Sequence, residues 1–179
     1  MVYVALLRGI NVGGNNRVEM FRLKAVFESL GFADVLTYIN SGNVVFSADR
    51  ELPNQLAEKI RAAIEAEFGF KIPVVVRDKQ NLETVHKAIP ASWVNDSTMK
   101  TDVLFLWESH DKAELLDNLA IRPEIEDVKY VPGAIVWRID KVNATKSGLL
   151  KIIGTELYRN VTIRNVNTLR KLVAMMAVV

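Results

Sequence analysis

The sequence contains no cysteine. That excludes disulfides, thiol nucleophiles and cysteine-based zinc sites together. Histidine is nearly absent as well. His86 and His110 are the only two, and their surroundings read as a helix surface and a helix start, so no metal site is expected. No apolar run approaches the roughly 20 residues that a membrane helix needs. The N-terminal run is stopped by Arg8, which does not fit a signal peptide. A cytoplasmic protein without membrane contact is the expectation. Net charge is only +2, so overall charge argues for neither nucleic acid nor membrane. Paired carboxylates, a nucleophile–base–acid set and zinc-ligand spacing are all missing. The chain therefore leans away from being an enzyme, its catalytic residues are unassigned, and no cofactor is expected.

Half of the residues are hydrophobic, at 50% of 179, which suits one domain or two small ones. Val2 to Ile10 reads as a strand buried on both faces, because both alternating sets are apolar. A glycine loop follows. Met20, Leu23, Phe27 and Leu30 then recur at helical spacing, and Gly31 stands where a helix wants a left-handed stop. Asp34 to Ile39 and Val44 to Ser47 read as strands joined by the short turn Asn40-Ser41-Gly42-Asn43. Pro53 opens a helix that Gly69 closes, and Pro73 to Arg77 is a further strand. This β-α-β-β-α-β order is the split βαβ, ferredoxin-like pattern. Its handedness makes the first two strands parallel, with the third between them. Arg8 to Arg17 and Asn40 to Asn43, distant in sequence, should then meet at one end of the sheet.

Asn81 is expected to cap a short helix ended by Pro90. The second half repeats the element order: a strand from Asp102, a helix from Asp111 with Glu114 in a capping box, and a hairpin around Pro132-Gly133. A helix capped by Thr145, a strand from Asn160 and a last helix capped by Asn165 complete it. The expected fold class is α+β, with two ferredoxin-like βαββαβ subdomains, antiparallel or mixed sheets and a C-terminal helix. Residues 1–78 form the first subdomain, 79–100 a linker with a short helix, and 101–179 the second.

Three polar knots are candidate sites. In the first, Gly9, Gly13 and Gly14 follow a strand and precede a helix. That layout suits an anion, because backbone N–H groups and the helix dipole favour negative charge. Arg8 and Arg17 add cations, while Asn11, Asn15 and Asn16 serve either a ligand or the loop itself. Neither G-x-x-x-x-G-K-[ST] nor G-x-G-x-x-G is matched. The second knot is Tyr38 to Asn43, whose Asn and Gly residues a hairpin also needs. In the third, Arg164 sits just before a helix N-terminus, which disfavours a cation, and Asn167 has no capping duty. The ligand-binding set is thus Arg8, Asn11, Gly13, Gly14, Asn15, Ser41 and Asn43, with Arg164 and Asn167 as a possible completion. A small anionic ligand, phosphorylated or nucleotide-like, is the expected partner.

The charge distribution offers an alternative. From Glu108 to Asp127 seven acids face two bases, and from Thr145 to Val179 six bases face one acid. A basic C-terminal surface could take nucleic acid, with strong salt dependence. Tyr3 and Phe46 could stack bases, yet strand one is apolar on both faces, which argues against an open platform. A third reading is an interaction module whose knots are purely structural.

The three knots together resemble a known family. Leu7-Arg8-Gly9-Ile10-Asn11-Val12-Gly13-Gly14, then Met20 and Leu23, Thr37-Tyr38-Ile39-Asn40-Ser41-Gly42-Asn43-Val44-Val45-Phe46, and Thr162-Ile163-Arg164-Asn165-Val166-Asn167-Thr168 with Lys171-Leu172 are similar to the domain of unknown function 1697. The resemblance implies a cytoplasmic, mostly bacterial protein with a two-part ferredoxin-like architecture. It implies no agreed activity, substrate or catalytic residue. Val166 departs from the family pattern, which often has an aromatic there, typically tryptophan.

Overall fold

The structure is a computed structural model that describes residues 1–14 and 16–179. The chain forms two compact units, Met1–Gln80 with Leu172–Val179, and Asn81–Lys171. Each holds one four-stranded antiparallel sheet.

In the first unit, β1 (Val2–Leu7), α1 (Met20–Ser29), β2 (Ala33–Tyr38), β3 (Asn43–Ser47), α2 (Pro53–Phe68) and β4 (Val74–Asp78) follow one another. The sheet order is β2-β3-β1-β4, the ferredoxin-like order that the sequence pattern implies. One sheet face carries Tyr3, Ala5, Leu7, Val44, Phe46, Val74 and Val76, which pack with Leu23, Val26 and Phe27 of α1 and Leu56, Ile60 and Ile64 of α2. Val4, Leu6, Val45 and Val75, on the opposite face, are buried too. That explains why β1 is apolar in both alternating sets. Tyr3 and Phe46 are core residues stacked on each other with centroids 5.7 Å apart, so they offer no platform for bases. Pro53 occupies the first turn of α2, where its missing N–H costs nothing, and Gly69 ends it at φ 79°. The first strand stops at Leu7 rather than at Ile10, because positive φ at Gly9 and Asn11 ends the extended backbone.

The second unit begins with α3 (Lys79–Lys87), whose first two residues count with the first unit. β5 (Met99–Leu106), β6 (Glu126–Val131), β7 (Ala134–Asp140), α4 (Glu156–Arg159), β8 (Val161–Asn165) and α5 (Val166–Met176) follow, and α5 counts with the first unit from Leu172 on. Its sheet order, β6-β7-β5-β8, repeats that of the first unit strand for strand. The helical layer differs from expectation. Where the sequence predicts a helix from Asp111, there are two short 3₁₀ stretches, Glu108–His110 and Ala113–Asn118. Asp111 does not cap a helix; its carboxylate accepts from the Tyr130 hydroxyl at 2.9 Å and the Gly133 N–H at 2.8 Å. Pro123 also limits how far a helix could run. The helix expected from Thr145 is likewise two 3₁₀ stretches, Lys141–Lys146 and Gly148–Ile152, split by extended Ser147. Asn81 lies inside α3 rather than at its cap, and its Nδ2 donates to the Pro132 carbonyl at 2.8 Å. Asn165 does cap α5, its Oδ1 accepting from the Thr168 N–H at 2.9 Å. Among the described residues no helix is long and apolar enough to cross a membrane.

Candidate functional site

The loop after β1 and the hairpin after β2 lie at one end of the first sheet, because β3 runs antiparallel between their strands. Two contacts bind them together. The Leu7 N–H donates to the Gly42 carbonyl at 2.8 Å. The Asn11 Nδ2 donates to the Asn40 carbonyl at 2.9 Å and to the Val18 carbonyl at 2.9 Å, while its Oδ1 accepts from the Val18 N–H at 2.9 Å. Asn11 has φ 54°, a left-handed conformation that asparagine tolerates better than most residues. The loop also closes on itself, through Asn16 Nδ2 to the Gly9 carbonyl at 3.1 Å and Asn11 N–H to the Asn16 carbonyl at 3.2 Å. Replacing Asn11 by alanine is expected to lower unfolding stability by about 2 kcal/mol, from lost hydrogen bonds and left-handed strain. Asn11→Gly relieves the strain but not the bonds and should fall between the two in urea unfolding.

Asn43 is fully buried at the start of β3. Its Nδ2 donates to the Tyr38 carbonyl at 3.0 Å and to Ser41 Oγ at 2.9 Å, which sets the hairpin turn. Arg8 and Ser41 are half-buried at the junction, and the Arg8 N–H donates to the Pro73 carbonyl at 2.9 Å. Gly13 and Gly14 are exposed, with φ 61° and 79°, and nothing lies within 4 Å of where a Cβ would stand. Asn15 lies outside the described residues. Val12 and Ile39 flank the Asn11–Asn40 bridge and are 68% and 51% exposed. Ile39 has φ 48°, a costly conformation for a β-branched residue that clusters at functional sites. The N-terminus of α1 is flanked by Glu19, which lies 3.9 Å from Arg22, so an acid already complements the dipole there.

Arg164 and Asn167 belong to the second unit. Arg164 on β8 is buried, and its Nη1 donates to Thr162 Oγ1 at 3.0 Å and to the Ile163 carbonyl at 2.9 Å. Burial pushes its guanidinium down to about 10. Asn167 is exposed and donates to the Asn95 carbonyl at 2.8 Å. Val166, beside it, is fully buried.

The second unit also holds a polar cluster that reading the sequence missed. Glu126 is buried, and its carboxylate accepts from Arg122 N–H at 2.8 Å, Trp137 Nε1 at 2.8 Å, Ser147 Oγ at 2.7 Å and Gly148 N–H at 3.1 Å. Burial pushes its carboxyl up, but the four donors outweigh burial and hold it below the usual range. The available signal was Trp137 on a buried strand, whose indole N–H requires an acceptor. Asp102 is also buried, and burial raises its carboxyl despite Lys100 at 3.1 Å. His110 Nδ1 lies 2.9 Å from Ser109 Oγ, and its Nε2 lies 3.4 Å from Glu156. Among the described residues no group of three or more His, Cys, Asp or Glu could hold a metal ion.

These features define a two-unit α+β protein with a repeated ferredoxin-like strand order and a polar, loop-built end on its first sheet. Residues 1–137 match the family described as "Protein of unknown function (DUF1697)", and the chain belongs to that family. A conserved bacterial protein from Streptococcus pneumoniae has a similar structure, with a TM-score of 0.83 and 29% identity over 98% of each chain. Comparison with functionally curated proteins finds no match.

Proposed function

We propose that the chain is a binding protein for a small anionic ligand, phosphorylated or nucleotide-like, held at the loop end of the first sheet by Arg8, Asn11, Gly13, Gly14, Asn15, Ser41 and Asn43. The observation that carries this reading is the Asn11 bridge between the two loops. It makes one surface from segments distant in sequence, and preorganised groups bind with less ordering cost. Asn11 and Asn43 hold the surface in shape, while the open faces of Gly13 and Gly14 allow a phosphate to approach backbone N–H groups. Arg8 supplies charge at the junction, and exposed Val12 and Ile39 offer an apolar rest for a base or chain.

Nucleic-acid binding through the basic C-terminal segment has less support. Arg164 is buried, and Arg170 donates to the carbonyls of Pro90, Ala91 and Trp93.

The test is a thermal-shift titration with inorganic phosphate, nucleoside phosphates and a short oligonucleotide at two salt concentrations. A ligand at ~100 times its Kd adds about 2.7 kcal/mol, or roughly 5–11 °C at this size. Arg8→Ala is expected to weaken a phosphorylated hit about tenfold or more. An unchanged affinity in that variant would move the site elsewhere. A shift seen only with the oligonucleotide, and lost at higher salt, would favour the basic segment.

A further inference from the structure

The second unit contains a hollow of about 360 Å³ beside the Glu126 cluster, with which it shares Gly148. Its size lies within the range of small-molecule sites. The walls are aliphatic: Leu115 lies within the Ala113–Asn118 stretch and Leu119 just after it, while Ile152 ends the Gly148–Ile152 stretch and Leu157 stands on α4. Gly148 and Ala120 close one side, so near each other that a Cβ on Gly148 would collide with the Ala120 carbonyl. No side chain can grow into the space from that position.

Four polar side chains complete the lining, Asn118, Lys151, Thr155 and Glu156, and the Thr155 hydroxyl is already engaged, donating to the Ile152 carbonyl and accepting from the Tyr158 N–H. Lys151 is exposed and makes no ion pair among the described residues, and the Asn118 amide makes no hydrogen bond among them. Glu156 is 80% exposed at its side chain, and its Oε1 lies 3.4 Å from His110 Nε2. The hollow therefore combines one ammonium, one carboxylate and one amide with aliphatic walls. A ligand of single charge would be attracted by one end and repelled by the other. A ligand carrying both signs beside an aliphatic group satisfies all of them.

We propose that this hollow binds a free α-amino acid with an aliphatic side chain of about leucine size. The ligand carboxylate faces Lys151, its ammonium faces Glu156, and its side chain lies against the leucine and isoleucine walls. Asn118 is placed to hydrogen-bond the carboxylate. This site stands independently of the anion reading for the first unit.

Calorimetric titration of the full chain with L-leucine, isocaproate and leucinamide tests it. Isocaproate lacks the ammonium, and leucinamide lacks the carboxylate. L-leucine is expected to bind, and each analogue to bind about tenfold more weakly or worse, as befits loss of one charge contact. Lys151→Ala should weaken leucine and leave leucinamide unchanged, while Glu156→Gln should weaken leucine and leave isocaproate unchanged. Both positions are exposed, so an unaltered melting temperature in each variant shows that the fold is intact. No heat with L-leucine at millimolar concentration overturns the proposal. So does equal affinity for all three compounds, or leucine affinity that neither variant changes.

Discussion

Glu126→Ala is expected to destabilise the second unit by about 3–5 kcal/mol, the range for breaking a buried charged network. The carboxylate is the common acceptor for donors from four places in the chain. They are the Arg122 N–H ahead of β6, the Trp137 indole on β7, the Ser147 hydroxyl between two 3₁₀ stretches, and the Gly148 N–H that opens the second of them. Removing the acceptor leaves several of these donors desolvated without a partner, at about 1–3 kcal/mol each if none finds water. Glu126→Gln keeps the volume but turns an NH₂ toward groups that are all donors, so it should recover little. Urea unfolding gives the size of the effect. Hydrogen exchange localises it, because the Arg122 and Gly148 amides should lose protection before the β5–β7 ladder does. The pH dependence follows from the lowered carboxyl of Glu126. Its stabilisation is complete above the unfolded-state value, about 4.3, and fades as pH falls through the lower folded value. Asp102, whose carboxyl is raised by burial, acts in the opposite sense, while Asp96, held low by the Met99 and Thr98 N–H groups and the Thr98 hydroxyl, acts in the same sense as Glu126. In Glu126→Ala the share of the acid-induced loss that Glu126 supplies should vanish, while the share from Asp96 remains. A variant as stable as the parent, with Gly148 still protected, would mean that water replaces the carboxylate.

The same cluster shows where the sequence is silent. The strand order was legible because the apolar runs and glycine stops spell out β-α-β-β-α-β, and chirality leaves one arrangement. The meeting of the Asn11 loop with the Asn40 hairpin followed from that alone. The second helical layer was misread because local signals were outcompeted. Asp111 has the sequence context of an N-cap, yet its carboxylate serves Tyr130 and Gly133 from the next hairpin. Ser147 and Gly148 stand within a helical pattern, but both are held by Glu126, and Gly148 packs against the Ala120 backbone. Asn43 carries the converse lesson. A hairpin asparagine reads as a surface donor, while here it is fully buried and binds Tyr38 and Ser41. Burial of a polar side chain is a tertiary property, and no period of 2 or 3.6 in the sequence reports it. Glu126 was hidden likewise, as one more acid in an acidic stretch.

Gly42→Ala is expected to lower stability by about 3 kcal/mol or more, the largest effect of any single methyl group at the loop end. Two separate terms add there. The backbone has φ 75°, where a residue with a Cβ costs about 1–2 kcal/mol. The new Cβ would also stand 2.6 Å from Leu7 Cβ and 2.8 Å from Ile10 Cδ1, and both partners are buried. Neither can retreat into solvent, so overpacking adds about 1–3 kcal/mol. The close approach arises because the Leu7 N–H bonds the Gly42 carbonyl at 2.8 Å, drawing the hairpin onto β1. Gly14→Ala is the matched control. Its φ is 79°, but nothing lies within 4 Å of the added atom, so it should cost only the left-handed term. The difference between the two variants in urea unfolding measures the close approach alone. Equal losses would show that Leu7 and Ile10 shift at little cost and that the steric account of Gly42 is wrong. If the loop end binds phosphate as proposed, Gly42→Ala should also weaken binding in the fraction that remains folded. The substitution pushes the hairpin off β1, and with it the Asn40 carbonyl that Asn11 holds.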